Sequence, residues 1–325
     1  MPLPLLPLLG GAYSLLMALI IGAFSTRRAG VVFAMISLGV VELVASYAII
    51  TYGFFNGGGV GGDRTYGLPV FGVEFLKQIE VYYLIIFWLI LSIAAMYLFT
   101  RTPVGRMANA VRDNPERAEF VGYSAWRVRL YSFCASGFFA GVAGSMFAIV
   151  YEITTVETLN LQASGAILMI TFLGGVGVFF GPILGAIVFT LLQTVMSLHT
   201  DLWQLYIGVL FVATVMFFPS GLAGVLMMHA PAFQARRLSS LFLPYLATLT
   251  PAVIAVLSLA AMAEMLAYNR RAPVGEEEMN LFWITVDSSQ PAPWFVAITI
   301  ACGALWMARR IAPQMAAAFH KANVG

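Results

Sequence analysis

The sequence predicts an all-α, polytopic membrane protein with about nine transmembrane helices, and two observations carry that prediction. Hydrophobic residues make up 61% of the 325 residues and charged residues only 10%, whereas soluble domains run at about 45–50% and about 25%. The apolar residues also lie in long uninterrupted runs. A transmembrane helix needs about 20 such residues, and a membrane barrel instead shows roughly 10-residue alternating strands. A soluble domain with so few charges could not cover its own surface. A disordered chain would be poor in apolar residues. Two cysteines, Cys134 and Cys302, make no disulfide scaffold, and a net charge of +2 is too small for nucleic-acid binding.

The spans follow in order from stretches free of Lys, Arg, Asp and Glu. Residues 1–26 form the first, and residues 29–52 the second, interrupted by Glu42. Residues 81–100 and 130–151 give one each. Residues 158–200 are long enough for two, with a turn at Gly174, Gly175, Gly177, Gly181 and Pro182, since Gly and Pro punctuate helices. Residues 202–235 hold one span, ending near Phe218-Pro219-Ser220-Gly221, and residues 238–263 and 288–308 supply the last two.

Charge asymmetry sets the expected orientation. The loop 101–129 carries six arginines against three acids, which places it in the cytoplasm. Alternation then puts Arg27/Arg28, Arg236/Arg237 and Arg309/Arg310 on the same side. Segments 56–80, 152–161, 199–202 and 270–293 fall outside and carry most of the remaining acids, including Glu276-Glu277-Glu278. Met1 is expected outside, directly at the start of a span. Either the first span has no leader or helices precede it.

Several chemistries lack their residues. The only lysines, Lys77 and Lys321, sit in no phosphate-binding G-x-x-x-x-G-K-[ST] loop, so no ATP site and no cofactor is expected in this chain. His199, His229 and His320 are scattered without metal-ligand spacing, and nothing marks a nucleophile elbow. Cys134 and Cys302 are expected to be core residues.

Two stretches carry small residues at helix-packing spacing. Gly137-Phe-Phe-Ala-Gly141-Val-Ala-Gly144 is expected to pack within the chain. Gly177, Gly181 and Gly185 repeat the spacing, but Pro182 interrupts it. Broken backbone at membrane depth survives only where protein buries it or where it lines a cavity. Gly174, Gly175, Gly177, Gly181 and Pro182 are therefore candidates for a translocation pathway, alongside a packing role. Glu42 is the other candidate. A mid-helix carboxylate costs about 2.5–3.5 kcal/mol on insertion scales, so it faces protein or water. A structural hydrogen bond and a substrate contact both remain open for it. Asn160, Gln162, Ser164 and Thr171 are expected as caps or interface residues near the outer face.

The cytoplasmic loop carries the clearest local signal. Asn114 is a good N-cap and Pro115 suits the first helical position. Asp113 and Glu116 complement a helix N-terminus, and Gly122 fits the left-handed position that ends a helix. Residues 115–121 thus read as a two-turn helix. So short a helix is not stable alone in water. A solvated basic loop is the alternative, but specified ends and mixed charges favour docking to a cytoplasmic partner.

The segment Arg112-Asp-Asn-Pro-Glu-Arg-Ala-Glu-Phe-Val-Gly-Tyr123 resembles the cytoplasmic loop of branched-chain amino acid ABC permeases of the M type. Three more segments follow in the family's order: 136–144, 173–186 and 218–224. Residues 28–38 look similar as well, so the likeness runs from about Leu15 to Leu226. It implies an ABC-importer permease subunit of a bacterial inner membrane. Such a subunit takes up branched-chain amino acids or related small polar solutes. The implied partners are a second permease subunit, two cytoplasmic ATPase subunits that use ATP and Mg, and a periplasmic solute-binding protein. Carried over, ATPase coupling falls on Arg112, Asn114, Pro115, Glu116, Arg117, Glu119, Phe120 and Gly122. The family's earliest spans have no counterpart here, which leaves open whether helices precede this segment. Residues 238–325 add two spans without a family match. The expected division is a permease-like domain, 1–235, and a C-terminal extension, 236–325. The competing reading is a stand-alone secondary transporter or channel, which should carry more ionisable groups at depth than Glu42. An intramembrane enzyme is disfavoured by the lack of a polar constellation.

Overall fold

In the computed structural model the described residues are 2–50, 60–62, 75–218, 220–229, 238–271, 278–281, 284–288 and 290–324. Arg236/Arg237, Glu276, Glu277, Pro219, the expected boundary at 235/236 and most of the expected outer segment 56–80 lie outside them. Apolar runs in a low-dielectric medium must satisfy their backbone internally, and they do so as helices. Among the described residues six helices are long and apolar enough to cross a membrane, or seven when one bent pair is taken as a single span. The expectation of about nine is corrected for a physical reason. Helix breaks at Gly and Pro leave two of the nine apolar segments with only 14 and 17 residues, about 21–26 Å at 1.5 Å per residue against a core of about 30 Å.

The chain forms two compact units, Met1–Leu168 and Met169–Gly325. In the first, α1 (Leu6–Ser25) and α2 (Val31–Ile50) precede α3 (Gln78–Arg101). Two short helices, α4 (Pro103–Asp113) and α5 (Pro115–Phe120), lead into α6 (Ala125–Tyr151). The chief packing is α1 on α6, through small residues. A Cβ on Gly137 would lie 2.4 Å from that of Ala18, and one on Gly141 would lie 2.3 Å from the Gly10 carbonyl oxygen. The expected intrachain helix interface is therefore present, and α1 is its other half. Leu3, Val81, Leu84, Trp88, Val142 and Ile149 form a core beside it, and the Trp88 indole donates to the Pro4 carbonyl at 3.1 Å. A two-residue ribbon pairs β1 (Val60–Gly61) with β2 (Ile153–Thr154).

A 3₁₀ turn (Val156–Leu159) leads to α7 (Leu161–Gly174), whose N-terminus is capped by Asn160 accepting from the Ala163 amide at 2.9 Å. The boundary between the units falls within α7. The second unit contains α8 (Gly181–Ser197), α9 (Trp203–Phe217) and α10 (Gly221–Met228). α9 and α10 are bent by 50° at their break. A helical hairpin, α11 (Leu238–Arg271) and α12 (Pro291–Val324), is bridged by the ribbon β3 (Glu278–Leu281) and β4 (Ile284–Asp287). The Asn269 side chain donates to the Ser288 carbonyl at 3.0 Å and closes the hairpin's end. Cys134 is partly buried and Cys302 is exposed, so Cys302 is not a core residue.

Candidate functional site: a capped basic loop and a crossing of two broken helices

The loop site begins with its caps. The Thr102 hydroxyl accepts from the Gly105 amide at 3.2 Å and starts α4, with Pro103 next in line. Asn114 then repeats the device, its side chain accepting from the Arg117 amide at 3.0 Å to start α5. α5 ends where Gly122 takes φ +90°. There the Gly122 amide donates to Glu119 at 2.9 Å and the Tyr123 amide to Ala118 at 3.1 Å, which satisfies the last carbonyls. The helix expected at 115–121 is thus present at Pro115–Phe120. The basic segment 101–129 is mostly helix: Arg101 closes α3, and Arg127 and Arg129 already lie in α6.

α5 is held from beneath. Ala118 is buried with Val111 of α4 and with Ala125 and Val128 of α6. Its other face is bare. Phe120 is 90% exposed, and Glu116, Arg117 and Glu119 stand exposed around it. Arg112 is exposed as well and, among the described residues, pairs only with the adjacent Asp113, at 3.1 Å. Six residues held on one buried alanine therefore present an aromatic ring ringed by charges of both signs.

The second site is a crossing in the Met169–Gly325 unit. Gly175 leaves α7 with φ +112°, and Gly221 opens α10 with φ +66°. These breaks touch backbone to backbone. A Cβ on Gly175 would lie 2.2 Å from the Ser220 carbonyl oxygen, and one on Gly221 would lie 2.4 Å from the Gly175 Cα. α8 enters the same contact. A Cβ on Gly181 would meet the Gly175 oxygen at 2.1 Å, one on Gly174 the Gly181 oxygen at 2.0 Å, and one on Gly185 the Ile170 oxygen at 2.2 Å. Gly174, Gly175 and Gly181 are thus brought together, and Pro182 sits in the first turn of α8. Gly177 stands apart, with nothing within 4 Å of its Cβ position. Gly185, Ser220 and Gly221 complete the crossing. The sequence showed Gly221 as a helix stop but not which break it would meet.

Glu42 lies in the first unit, exposed near the middle of α2. A second carboxylate, Glu264, had no place among the expected site residues. It lies inside α11, where the Tyr206 hydroxyl of α9 donates to it at 2.7 Å and the Thr200 hydroxyl donates to it as well. His229, at the end of α10, meets the Tyr245 hydroxyl of α11 at 2.6 Å. These contacts tie the helices after residue 238 to those before residue 230.

Residues 1–218 match the family described as branched-chain amino acid transport system / permease component. The chain belongs to that family. The matched part ends at Phe218, so it takes in α5 and most of the crossing. A high-affinity branched-chain amino acid transport system permease protein LivM of Salmonella typhimurium is 30% identical over 155 residues, 47% of this chain and 36% of that protein. LivM of Escherichia coli matches to the same extent. An autoinducer 2 import system permease protein LsrC of Enterobacter is 29% identical over 237 residues, 69% of this permease and 68% of that one. The match thus spans little more than a third of the LivM proteins' own length. No solved structure matches. The permease is a multi-pass helical membrane protein of a transport family.

Proposed function

We propose that this permease is a membrane subunit of an ATP-driven importer in a bacterial inner membrane. It works with a second permease subunit, two cytoplasmic ATPase subunits and a periplasmic solute-binding protein. The observation that carries the reading is Phe120, 90% exposed on a helix whose two ends are both specified. Burial of a bare aromatic anchor among charges is how compact interfaces concentrate their energy, with anchors worth about 2 kcal/mol or more. The ATPase is the occupant that this reading assigns to α5. ATP and Mg belong to that partner. The cargo class is a branched-chain amino acid or a related small polar solute, in line with relatives named for branched-chain amino acids and for autoinducer 2. The crossing at Gly174, Gly175, Gly181 and Gly221 supports a pathway role, because discontinuous helices at membrane depth occur where backbone lines a route or packs tightly.

The test is reconstitution with the ATPase chains and a Phe120→Ala/Arg117→Ala variant. Co-purification and solute-stimulated ATP hydrolysis should both fall while the membrane fold survives, since neither side chain packs in the core. Wild-type values for both would refute the docking role. Uptake by this permease alone, with no ATPase chain, would establish the stand-alone transporter instead. Glu264 gives that alternative little support, being held by two hydroxyl donors.

A further inference from the structure

We propose that the first unit carries a binding site for the phosphate of an anionic phospholipid, built from three arginines around an apolar cavity. The cavity has a volume of about 520 Å³ and lies where the turn between α1 and α2 meets α4, the start of α5 and the start of α6. Arg28, Arg112 and Arg129 line it, and no Asp or Glu does. Arg129 is half-buried, and neither it nor Arg28 makes an ion pair among the described residues. Among the described residues Arg112 holds only the adjacent, exposed Asp113, a surface pair that is readily exchanged. Withdrawal of a guanidinium from water without a counter-charge is unfavourable, so Arg129 calls for an anion from outside the chain.

The positive-inside rule explains arginines on this loop but not their convergence on one cavity. The rest of the lining distinguishes the anion. Phe33 and Phe133 stack edge to face at 6.1 Å and close the apolar side, with Val111 and Val128 beside them. A free phosphate would use the arginines and leave this apolar volume to water. A lipid fills both, because its headgroup phosphate takes the guanidiniums while its glycerol and upper acyl carbons meet the phenylalanines. The cavity's place fits as well, at the ends of the apolar spans α1, α2 and α6, where headgroups lie. Basic pockets between helix ends hold anionic headgroups in this way. Arg112 and Pro115 flank the Asn114 cap, so a bound lipid would brace the base of α5.

The permease, purified in detergent and stripped of lipid, should be titrated with phosphatidylglycerol, phosphatidylcholine, glycerol 3-phosphate and inorganic phosphate, with bound mass read by native mass spectrometry. No partner subunit is needed, so the result is separate from the ATPase-docking reading. Phosphatidylglycerol should be retained about tenfold more tightly than phosphatidylcholine, and Arg28→Gln/Arg129→Gln should remove that preference. Arg309→Gln/Arg310→Gln, at a basic pair of α12, should leave it intact. Should the first double variant fail to fold, Arg28→Gln alone, in an exposed turn, should still weaken retention several-fold. Equal retention by wild type and the Arg28/Arg129 variant overturns the site. Equal losses in both double variants overturn it in favour of general surface charge. Binding of inorganic phosphate as tight as that of phosphatidylglycerol overturns the lipid as occupant.

Discussion

Gly175→Ala is the sharpest test of the helix crossing. Gly175 has φ +112°, a conformation that costs an L-residue about 1–3 kcal/mol. Its new Cβ would also sit 2.2 Å from the Ser220 carbonyl oxygen. That neighbour is backbone at a second helix break, so it cannot swing aside, and overpacking of this kind adds about 1–3 kcal/mol. The sum is about 2–6 kcal/mol. Two companions separate the terms. Gly181→Ala has no positive φ but would place its Cβ 2.1 Å from the Gly175 oxygen, so it carries the packing term alone. Gly177→Ala has open space and no positive φ, and should stay within about 0.5 kcal/mol of wild type. At about 2–4 °C per kcal/mol, Gly175→Ala should lower the apparent melting temperature by about 10 °C, Gly181→Ala by about half that, and Gly177→Ala hardly at all. Thermal ramps of detergent-solubilised protein, read as loss of the monodisperse peak on size exclusion, give the order. If Gly175→Ala and Gly177→Ala melted together, the crossing would be refuted.

Three further outcomes follow from the same geometry. Glu264→Gln keeps an acceptor for Tyr206 and Thr200 and should melt near wild type, whereas Glu264→Leu strands both hydroxyls and should cost about 1–3 kcal/mol in the same ramp. Gly122→Val meets no neighbour, so its cost of about 1–3 kcal/mol comes from φ +90° alone; amide exchange should rise across residues 115–123 and leave α1 and α6 protected. Glu42→Gln should support assembly and uptake while Glu42→Leu impairs one of them, and normal uptake by the Leu variant would show that the carboxylate is merely tolerated.

What the sequence made legible was local. Asn114, Pro115 and Gly122 announce α5 because caps and turn glycines act within a few residues. The same signature, Thr102 before Pro103, marks α4, which charge reading passed over as loop. Charge-free runs located every long helix but misplaced ends, because a helix does not stop where charges begin. α6 starts at Ala125, ahead of Arg127 and Arg129, and α11 continues through Glu264 to Arg271. The charge-free run ends at residue 263, yet the apolar Met265-Leu266-Ala267-Tyr268 beyond it shows that Glu264 lies inside a span. Partnership was the illegible part. The small residues of α6 showed that some helix would press close, and only the fold shows that α1 does. The breaks at Gly174/Gly175 and Phe218/Gly221 each looked like a stop, and their contact depends on how four short helices turn back on one another.

Two features of the first unit make demands that the described residues do not meet. Glu42 stands exposed in the middle of α2, a helix of which only 6% of the most apolar window is buried. Toward hydrocarbon, that carboxylate would cost about 2.5–3.5 kcal/mol with nothing to offset it. Phe120 makes the opposite demand, with a bare ring outside the apolar spans and charges on every flank. A charge facing the membrane and a ring facing water are each unfavourable in the chain by itself. Both become favourable if α2 meets a polar surface within the bilayer and α5 meets an apolar hollow outside it. The first contact is of the kind another membrane subunit supplies, and the second of the kind a soluble subunit supplies. The two mismatches lie on different helices and ask for different chemistry.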